Sequence, residues 1–283
     1  MGRLRAITLL SLFAAWTLAL MPVQWAALRL PGRAKVRIPH LYHRSLLRLF
    51  GLRMRVTGAP VAPGPVLIVA NHQSWVDIVT LSALTELSFI AKGEVGTWPF
   101  FGTLARLQRT VFVDRTRRNH TGRQRDEIRA RLDAGDRLVL FAEGTSNDGN
   151  RVLPFRTALF GAVELSGTPA PCVQPVSVAY TRLHGLPMGR TYRPIVAWYG
   201  DMDLAPHLWD WLKAGPMDVE IHVHPPVDPA ETGDRKRLAR RCETDVRRGL
   251  RALLSGRAET LPKAADDGLL DSRPRAATVA NET

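Results

Sequence analysis

The chain has only two cysteines, Cys172 and Cys242, far apart and in no metal-type spacing. That argues against a disulfide framework or a cysteine metal site and fits a reducing compartment. Lysine is scarce too: of 39 basic residues only Lys35, Lys92, Lys213, Lys236 and Lys263 are lysine, and the rest are arginine. The G-x4-G-K-[ST] pattern is absent, so there is no P-loop. G-x-S-x-G is absent, which removes the nucleophile elbow of the serine hydrolases. No basic–aromatic interleaving and no nucleic-acid motif occurs, so nucleic acid is not an expected partner. No internal repeat or low-complexity segment is found.

What is present is a globular composition. The 283 residues are 45% hydrophobic and 23% charged, enough for one large domain or two small ones. The net charge is +13. An arginine-rich surface suits planar contact with carboxylate or phosphate, and a basic protein of this kind seeks an anionic substrate or an anionic membrane face.

The longest apolar run is Ala6 to Leu28, without a charge and bounded by Arg3 and Arg5 on one side and Arg29, Arg33, Lys35 and Arg37 on the other. It is long enough to span a bilayer and too long for a simple signal-peptide core. Pro22 and Gln24 interrupt it. Ile38 to Phe50 mixes Leu41, Leu46, Leu47, Leu49 and Phe50 with His40, His43, Arg44 and Arg48, the composition of an interfacial helix. Residues 1–50 therefore read as a membrane anchor, either spanning or dipping into one leaflet.

From residue 51 to about 255 strand and helix patterns alternate. Strands are expected at 66–70, 87–91, 110–113, 137–141, 172–179, 195–199 and 219–223, and helices at 76–85, 96–107, 124–134, 158–166, 204–213 and 235–254. This order predicts an α/β domain with a mostly parallel sheet covered by helices. Residues 256–283 are polar and free of aromatics, and read as a flexible tail.

The stretch Asn71-His72-Gln73-Ser74-Trp75-Val76-Asp77 lies where the buried strand 66–70 gives way to a helix, the usual place for a site in an open α/β sheet. An aspartate five positions after a histidine can accept from one ring nitrogen and fix the tautomer. The other nitrogen is then free to take a proton from a hydroxyl. A buried, satisfied histidine at a strand end would look the same, so the pair alone decides little. Two further strand ends carry candidates. Phe112-Val113-Asp114-Arg115 puts an arginine just past a strand, with Arg117 and Arg118 reading as a solvated loop. Phe141-Ala142-Glu143-Gly144-Thr145-Ser146 leads into Asn147-Asp148-Gly149-Asn150-Arg151, either a ligand loop or an ordinary turn.

These blocks, with Val173-Gln174-Pro175-Val176, stand in the order and similar spacing of the glycerolipid acyltransferase family, which the chain resembles over about residues 50–225. Phe89-Ile90-Ala91-Lys92 and Trp98-Pro99-Phe100-Phe101-Gly102 look familial as well. The resemblance implies acyl transfer from a thioester, on coenzyme A or acyl carrier protein, to a lipid hydroxyl. No metal, cofactor or covalent enzyme intermediate is implied. His72 would be the general base and Asp77 its orienter. Asn71, Ser74, Lys92, Arg115, Glu143, Gly144, Thr145, Ser146, Arg151 and Pro175 would line the substrate site. The expected acceptor is 1-acyl-glycerol-3-phosphate, giving phosphatidic acid, at a bacterial inner membrane with the domain on its cytoplasmic side. One departure opens an alternative. Phosphate-binding members read Phe-Pro-Glu-Gly-Thr-Arg, whereas this chain has Ala142 and Ser146, and its continuation resembles relatives that acylate lyso-ornithine lipid. Arg151 or Arg156 could replace the missing guanidinium. A basic, membrane-anchored binding protein without catalysis is the alternative of another class.

Three features stand outside that frame. Glu220, His222 and His224 alternate on a strand, read as face packing rather than a metal site. Trp209 and Trp211 suit either an interface or the core. The arginines of 235–251 suit anionic lipid or a solvated face.

Overall fold

The structure, a computed structural model, describes residues 2–113, 121–161 and 171–261. Two long helices come first, α1 (Gly2–Ala27) and α2 (Ala34–Phe50). Then follow β1 (Leu52–Gly58), β2 (Val66–Ala70), α3 (Val76–Leu84), β3 (Ser88–Lys92), α4 (Phe101–Leu107), β4 (Val111–Val113), α5 (Thr121–Asp133) and β5 (Arg137–Phe141). The rest comprises β6 (Cys172–Leu183), β7 (Leu186–Pro187), α6 (Leu204–Ala214), β8 (Met217–Val223) and α7 (Arg235–Leu254).

The sheet runs β1-β8-β6-β2-β5-β3-β4, with β7 on the end of β6. It is parallel except where β6 meets β8 and β7. β2, central and buried along its whole length, reads Val-Leu-Ile-Val-Ala because helices cover both faces. Side chains of α1, α2, α3 and α6 pack on one face, and those of α5 and α7 on the other. His72 thus follows the C-terminal end of the most protected strand.

β1 is not among the expected strands. It alternates Leu52, Met54 and Val56 with Arg53, Arg55 and Thr57 and is an edge strand, so only one row of side chains is apolar. The expected strand at 195–199 is absent. Arg193–Ile195 is a 3-10 turn there, and Val196 and Ala197 donate back to the Arg193 carbonyl. The expected helix 96–107 splits into a 3-10 turn, Gly93–Thr97, and α4, separated by Trp98-Pro99-Phe100. The fold there needs Gly102, because a Cβ would fall 2.5 Å from the Gly96 carbonyl oxygen. Of the expected helix 158–166, Thr157–Phe160 is a 3-10 turn and 162–166 lie outside the described residues. The expected tail starts too early: Ala258–Thr260 form a 3-10 turn and Leu261 is buried, while 262–283 lie outside the described residues.

Pro22 and Gln24 do not break α1. Pro39 in α2 lacks an N–H, which frees the Lys35 carbonyl four residues back. The Gln24 amide donates to it at 3.0 Å and to the Leu107 carbonyl at 2.8 Å. At the other end Arg5 donates to the carbonyls of Leu212 and Phe50. Midway the hydroxyls of Thr17 and Tyr42 are 2.7 Å apart. α1 is therefore tied to the domain along its length. Its outer face is apolar, with Leu4, Leu12, Leu18 and Val23 half or more exposed.

His222 and His224 form a T-shaped pair, with Ser177 bonded to His224 Nε2 at 2.9 Å and Thr57 at 3.0 Å from His222 Nδ1. Glu220 turns to Thr181 instead. Burial pushes His224 down to about 3, so it is neutral. No metal-holding cluster occurs among the described residues. Trp211 is core, packed edge-on against Phe50 and Trp75. α7 buries Leu238, Val246 and Leu250 and leaves its arginines outward.

Candidate active site

The turn from β2 into α3 is built around Asp77. Its carboxylate is fully buried and sits in the first turn of α3, where the helix dipole favours a negative charge. Oδ2 accepts from His72 Nδ1 at 2.9 Å, from the Gln73 amide at 2.8 Å and from the Ser74 amide at 2.9 Å. Oδ1 accepts from the Tyr180 hydroxyl at 2.9 Å. Burial and the adjacent Asp77 charge hold Tyr180 well above its usual range, so it remains a donor. The proton on His72 is assigned to Nδ1 because a carboxylate can only accept.

The His72 ring is stacked on Phe141, with centroids 3.9 Å apart and planes at 14°. Its side chain is 19% exposed. With Nδ1 bonded and one face covered, Nε2 is the nitrogen left to meet a substrate. An oriented imidazole of this kind can take a proton from a hydroxyl and pass it on.

Glu143 is buried beneath His72. It accepts from the His72 amide at 2.9 Å, from the Asn147 side chain at 2.6 Å and from the Leu153 amide at 2.9 Å. Burial pushes its carboxyl up to about 7, against the pull of those donors. Its bonds are all internal, so it braces the loop rather than facing a substrate. Gly144 has φ 74, a left-handed turn that glycine favours. Thr145 is exposed and Ser146 half-buried at the same strand end, and Lys92 is exposed at the end of β3. Arg151 and Arg156 are exposed.

Three more of the expected substrate contacts are, like Glu143, parts of the frame. Asn71 is buried and exchanges two hydrogen bonds with the Val178 backbone, at 2.9 and 2.8 Å, extending the β2–β6 ladder. Ser74 is buried and its hydroxyl accepts from the Val76 amide at the start of α3. Pro175 lies inside the sheet level with Val69, where its carbonyl accepts from His224. The backbone amides of Gln73 and Ser74 are committed to Asp77. Arg115, Arg117 and Arg118 lie outside the described residues.

The sequence reading missed two parts of the site. Gln73 is buried, with its side-chain amide donating to the Val178 carbonyl and its backbone carbonyl accepting from the Trp198 amide at 2.8 Å. That bond brings 189–198 over the site. The second is an apolar cavity of about 210 Å³ between α1, α2, α3 and α4, bordered by Phe13, Tyr42, Leu46, Trp75 and Phe89. Trp75, three residues from His72, joins the two.

The chain matches the family described as Acyltransferase over residues 53–179. It is similar to a lyso-ornithine lipid O-acyltransferase of Brucella abortus, 50% identical over 260 residues, 90% of this chain and 97% of the relative. A second protein of that name, from Rhizobium meliloti, is 43% identical over 87% of this chain and 86% of its own. A 1-acyl-sn-glycerol-3-phosphate acyltransferase of Neisseria gonorrhoeae is 32% identical over 67% of this chain and 71% of its own. Among solved structures, the 1-acyl-sn-glycerophosphate (LPA) acyltransferase of Thermotoga maritima superposes with a TM-score of 0.65 over 89% of this chain and 98% of that one. At 23% identity that likeness is one of fold.

Proposed function

The chain belongs to the glycerolipid acyltransferase family, and on that premise we propose that it transfers a fatty acyl group from a thioester to the free hydroxyl of lyso-ornithine lipid. That it is an acyltransferase acting on lysolipids rests on its relatives at large. The acceptor rests on one observation: the relatives matching nearly the full chain at 50% and 43% identity carry the lyso-ornithine name, against 32% for the relative named for 1-acyl-sn-glycerol-3-phosphate. This favours the alternative over phosphatidic acid, and Ser146 in place of the phosphate-binding arginine points the same way.

In the reaction His72 Nε2 takes the proton of the acceptor hydroxyl while its oxygen attacks the thioester carbonyl. A C–O bond forms and the C–S bond breaks. The thiolate leaves and recovers the proton from His72, so the enzyme ends unchanged. Asp77 holds the ring and stabilises the transient imidazolium. A thioester is already activated, so aligning the two reactants and moving one proton suffice. The donor is an acyl group on coenzyme A or acyl carrier protein. The cavity beside Trp75 is the site for an acyl chain.

Membrane association follows from α1. A 26-residue helix is about 39 Å long and could span a bilayer. Yet Arg5, Thr17 and Gln24 tie it to the domain along nearly all of that length, which favours insertion along one leaflet. The reducing environment suggested by two free cysteines fits the cytoplasmic face of a bacterial inner membrane. Replacing Leu12, Leu18 and Val23 together by serine is expected to release most of the protein from lipid vesicles, since each buried aliphatic side chain contributes about 2 kcal/mol. Undiminished co-sedimentation would place the binding on another surface. Deleting the whole helix is a poorer probe, because it would also open the cavity.

The acceptor is tested by offering lyso-ornithine lipid and lysophosphatidic acid side by side to purified protein in detergent micelles, with both thioesters supplied. Faster acylation of lyso-ornithine lipid is expected. A preference for lysophosphatidic acid would overturn the proposal.

A further inference from the structure

The loop after Glu143 folds back onto the catalytic strand end. The backbone and side-chain nitrogens of Asn147 both donate to the His72 carbonyl, at 3.2 and 3.1 Å. Gly149, at φ 75, lies so close to Gln73 that a Cβ would fall 2.4 Å from its Oε1. Between them Asp148 turns the loop, accepting from the amide and side chain of Asn150 at 3.2 and 3.0 Å. The segment that Trp198 fastens to Gln73 supplies the opposite charge. Arg193 donates to Asn150 Oδ1 at 2.6 Å, and its Nε is buried with no partner among the described residues. Arg151 and Arg190 act on Asp148 electrostatically.

One carboxylate and one tethered guanidinium are thus held at the same rim, one loop from His72. Asp148 and Arg193 are both half-buried. The salt bridges found among the described residues involve neither of them, nor Arg151 or Arg190. A guanidinium fixed through one nitrogen and still short of an acceptor is prepared for a carboxylate. The hydrogen bonds Asp148 accepts come from neutral groups, and the arginines near it act at longer range without closing a salt bridge, which leaves the carboxylate, in reach of solvent, able to take a primary ammonium. A phosphate monoester would satisfy the arginines and be repelled by Asp148, which is discrimination by an unfavourable contact.

We propose that Asp148 and Arg193 read the acceptor head group, Asp148 binding its ammonium and Arg193 its carboxylate, so that the site selects a zwitterionic amino-acid lipid. The assignment rests on the proposed function above and adds to it the residues that choose the acceptor. Ornithine linked through its α-amine fits this pattern, since it keeps one carboxylate and one δ-ammonium and has no phosphate. The arginine missing at 146 is then not replaced by Arg151 or Arg156, which are exposed and untethered.

The test uses full-length protein in micelles with acyl-CoA and acyl carrier protein thioesters both supplied. The acceptors are lyso-ornithine lipid, its δ-N-acetyl form and its carboxyl methyl ester. Wild type is expected to lose roughly ten- to hundredfold in kcat/KM on either blocked acceptor. Asp148→Asn should lose a similar factor on the intact lipid and almost nothing further on the N-acetyl form. Arg193→Gln should behave likewise with the methyl ester, and Arg193→Lys should recover part of the loss. Thermal midpoints establish that the variants fold. A variant penalised equally on intact and blocked acceptors would overturn the assignment and leave the function standing. A wild type that does not acylate lyso-ornithine lipid would overturn the function, and the assignment with it.

Discussion

Replacing His72 by alanine is expected to lower acyl transfer by roughly a hundred- to ten-thousandfold, the range that a positioned general base contributes. The reason is local. The ring has one nitrogen bound to Asp77 and one face against Phe141, which leaves Nε2 as its only reactive edge. Nothing else in the turn can take its place. Asp77 is fully buried behind the ring, and Glu143 is enclosed by its own three donors. The fold should tolerate the change. The structural bonds at this position are made by the backbone: the His72 amide donates to Glu143 and its carbonyl accepts from Asn147. Turnover of a labelled thioester and a thermal melt, run on the same preparation, separate the two effects. Transfer unchanged in a folded His72→Ala protein would remove His72 from the reaction.

The same turn shows what a sequence can and cannot reveal. His72 and Asp77 were legible because both lie within one strand-to-helix junction, where spacing translates into geometry. The central strands were legible because burial on both faces makes them uniformly apolar. β1 was not, because an edge strand shows only half a pattern. Asn71 and Ser74 were misread for a related reason. Sequence places them beside the histidine, but in the turn their side chains point into the sheet and the helix start, where unpaired backbone groups need partners. The least legible part was 189–198. Ile195 to Tyr199 is apolar enough for a strand, yet Pro194 and the bond from Trp198 to Gln73 fold it over the site. That contact joins residues more than a hundred positions apart and leaves no local signature. Gln24 is similar: in the sequence it interrupts a membrane helix, and in the fold it supplies donors that Pro39 and the end of α4 require.

Replacing Asp77 by alanine is expected to have the largest effect on stability, about 3–5 kcal/mol. Four donors converge on a fully buried carboxylate: His72 Nδ1, the amides of Gln73 and Ser74, and the Tyr180 hydroxyl. Alanine would leave all four without an acceptor where water cannot easily replace it. Tyr180 lies on β6 and Asp77 on α3, and their 2.9 Å bond links the two, so the junction between β6 and α3 should loosen as well. Asparagine is the informative contrast. Its carbonyl oxygen can take the place of Oδ2 and receive the two amides and the imidazole, while its NH2 faces Tyr180, whose hydroxyl can rotate and accept. That variant should therefore keep most of the stability. It lacks the negative charge that stabilises an imidazolium, so it should still lose roughly a hundredfold or more in turnover. Thermal midpoints and turnover for both variants separate the two roles. An asparagine variant that keeps both its melting temperature and its rate would mean that the charge does not matter to proton transfer. An asparagine variant that falls in stability as far as alanine would mean that the charge itself, through the α3 dipole and the converging amides, is what holds the turn together.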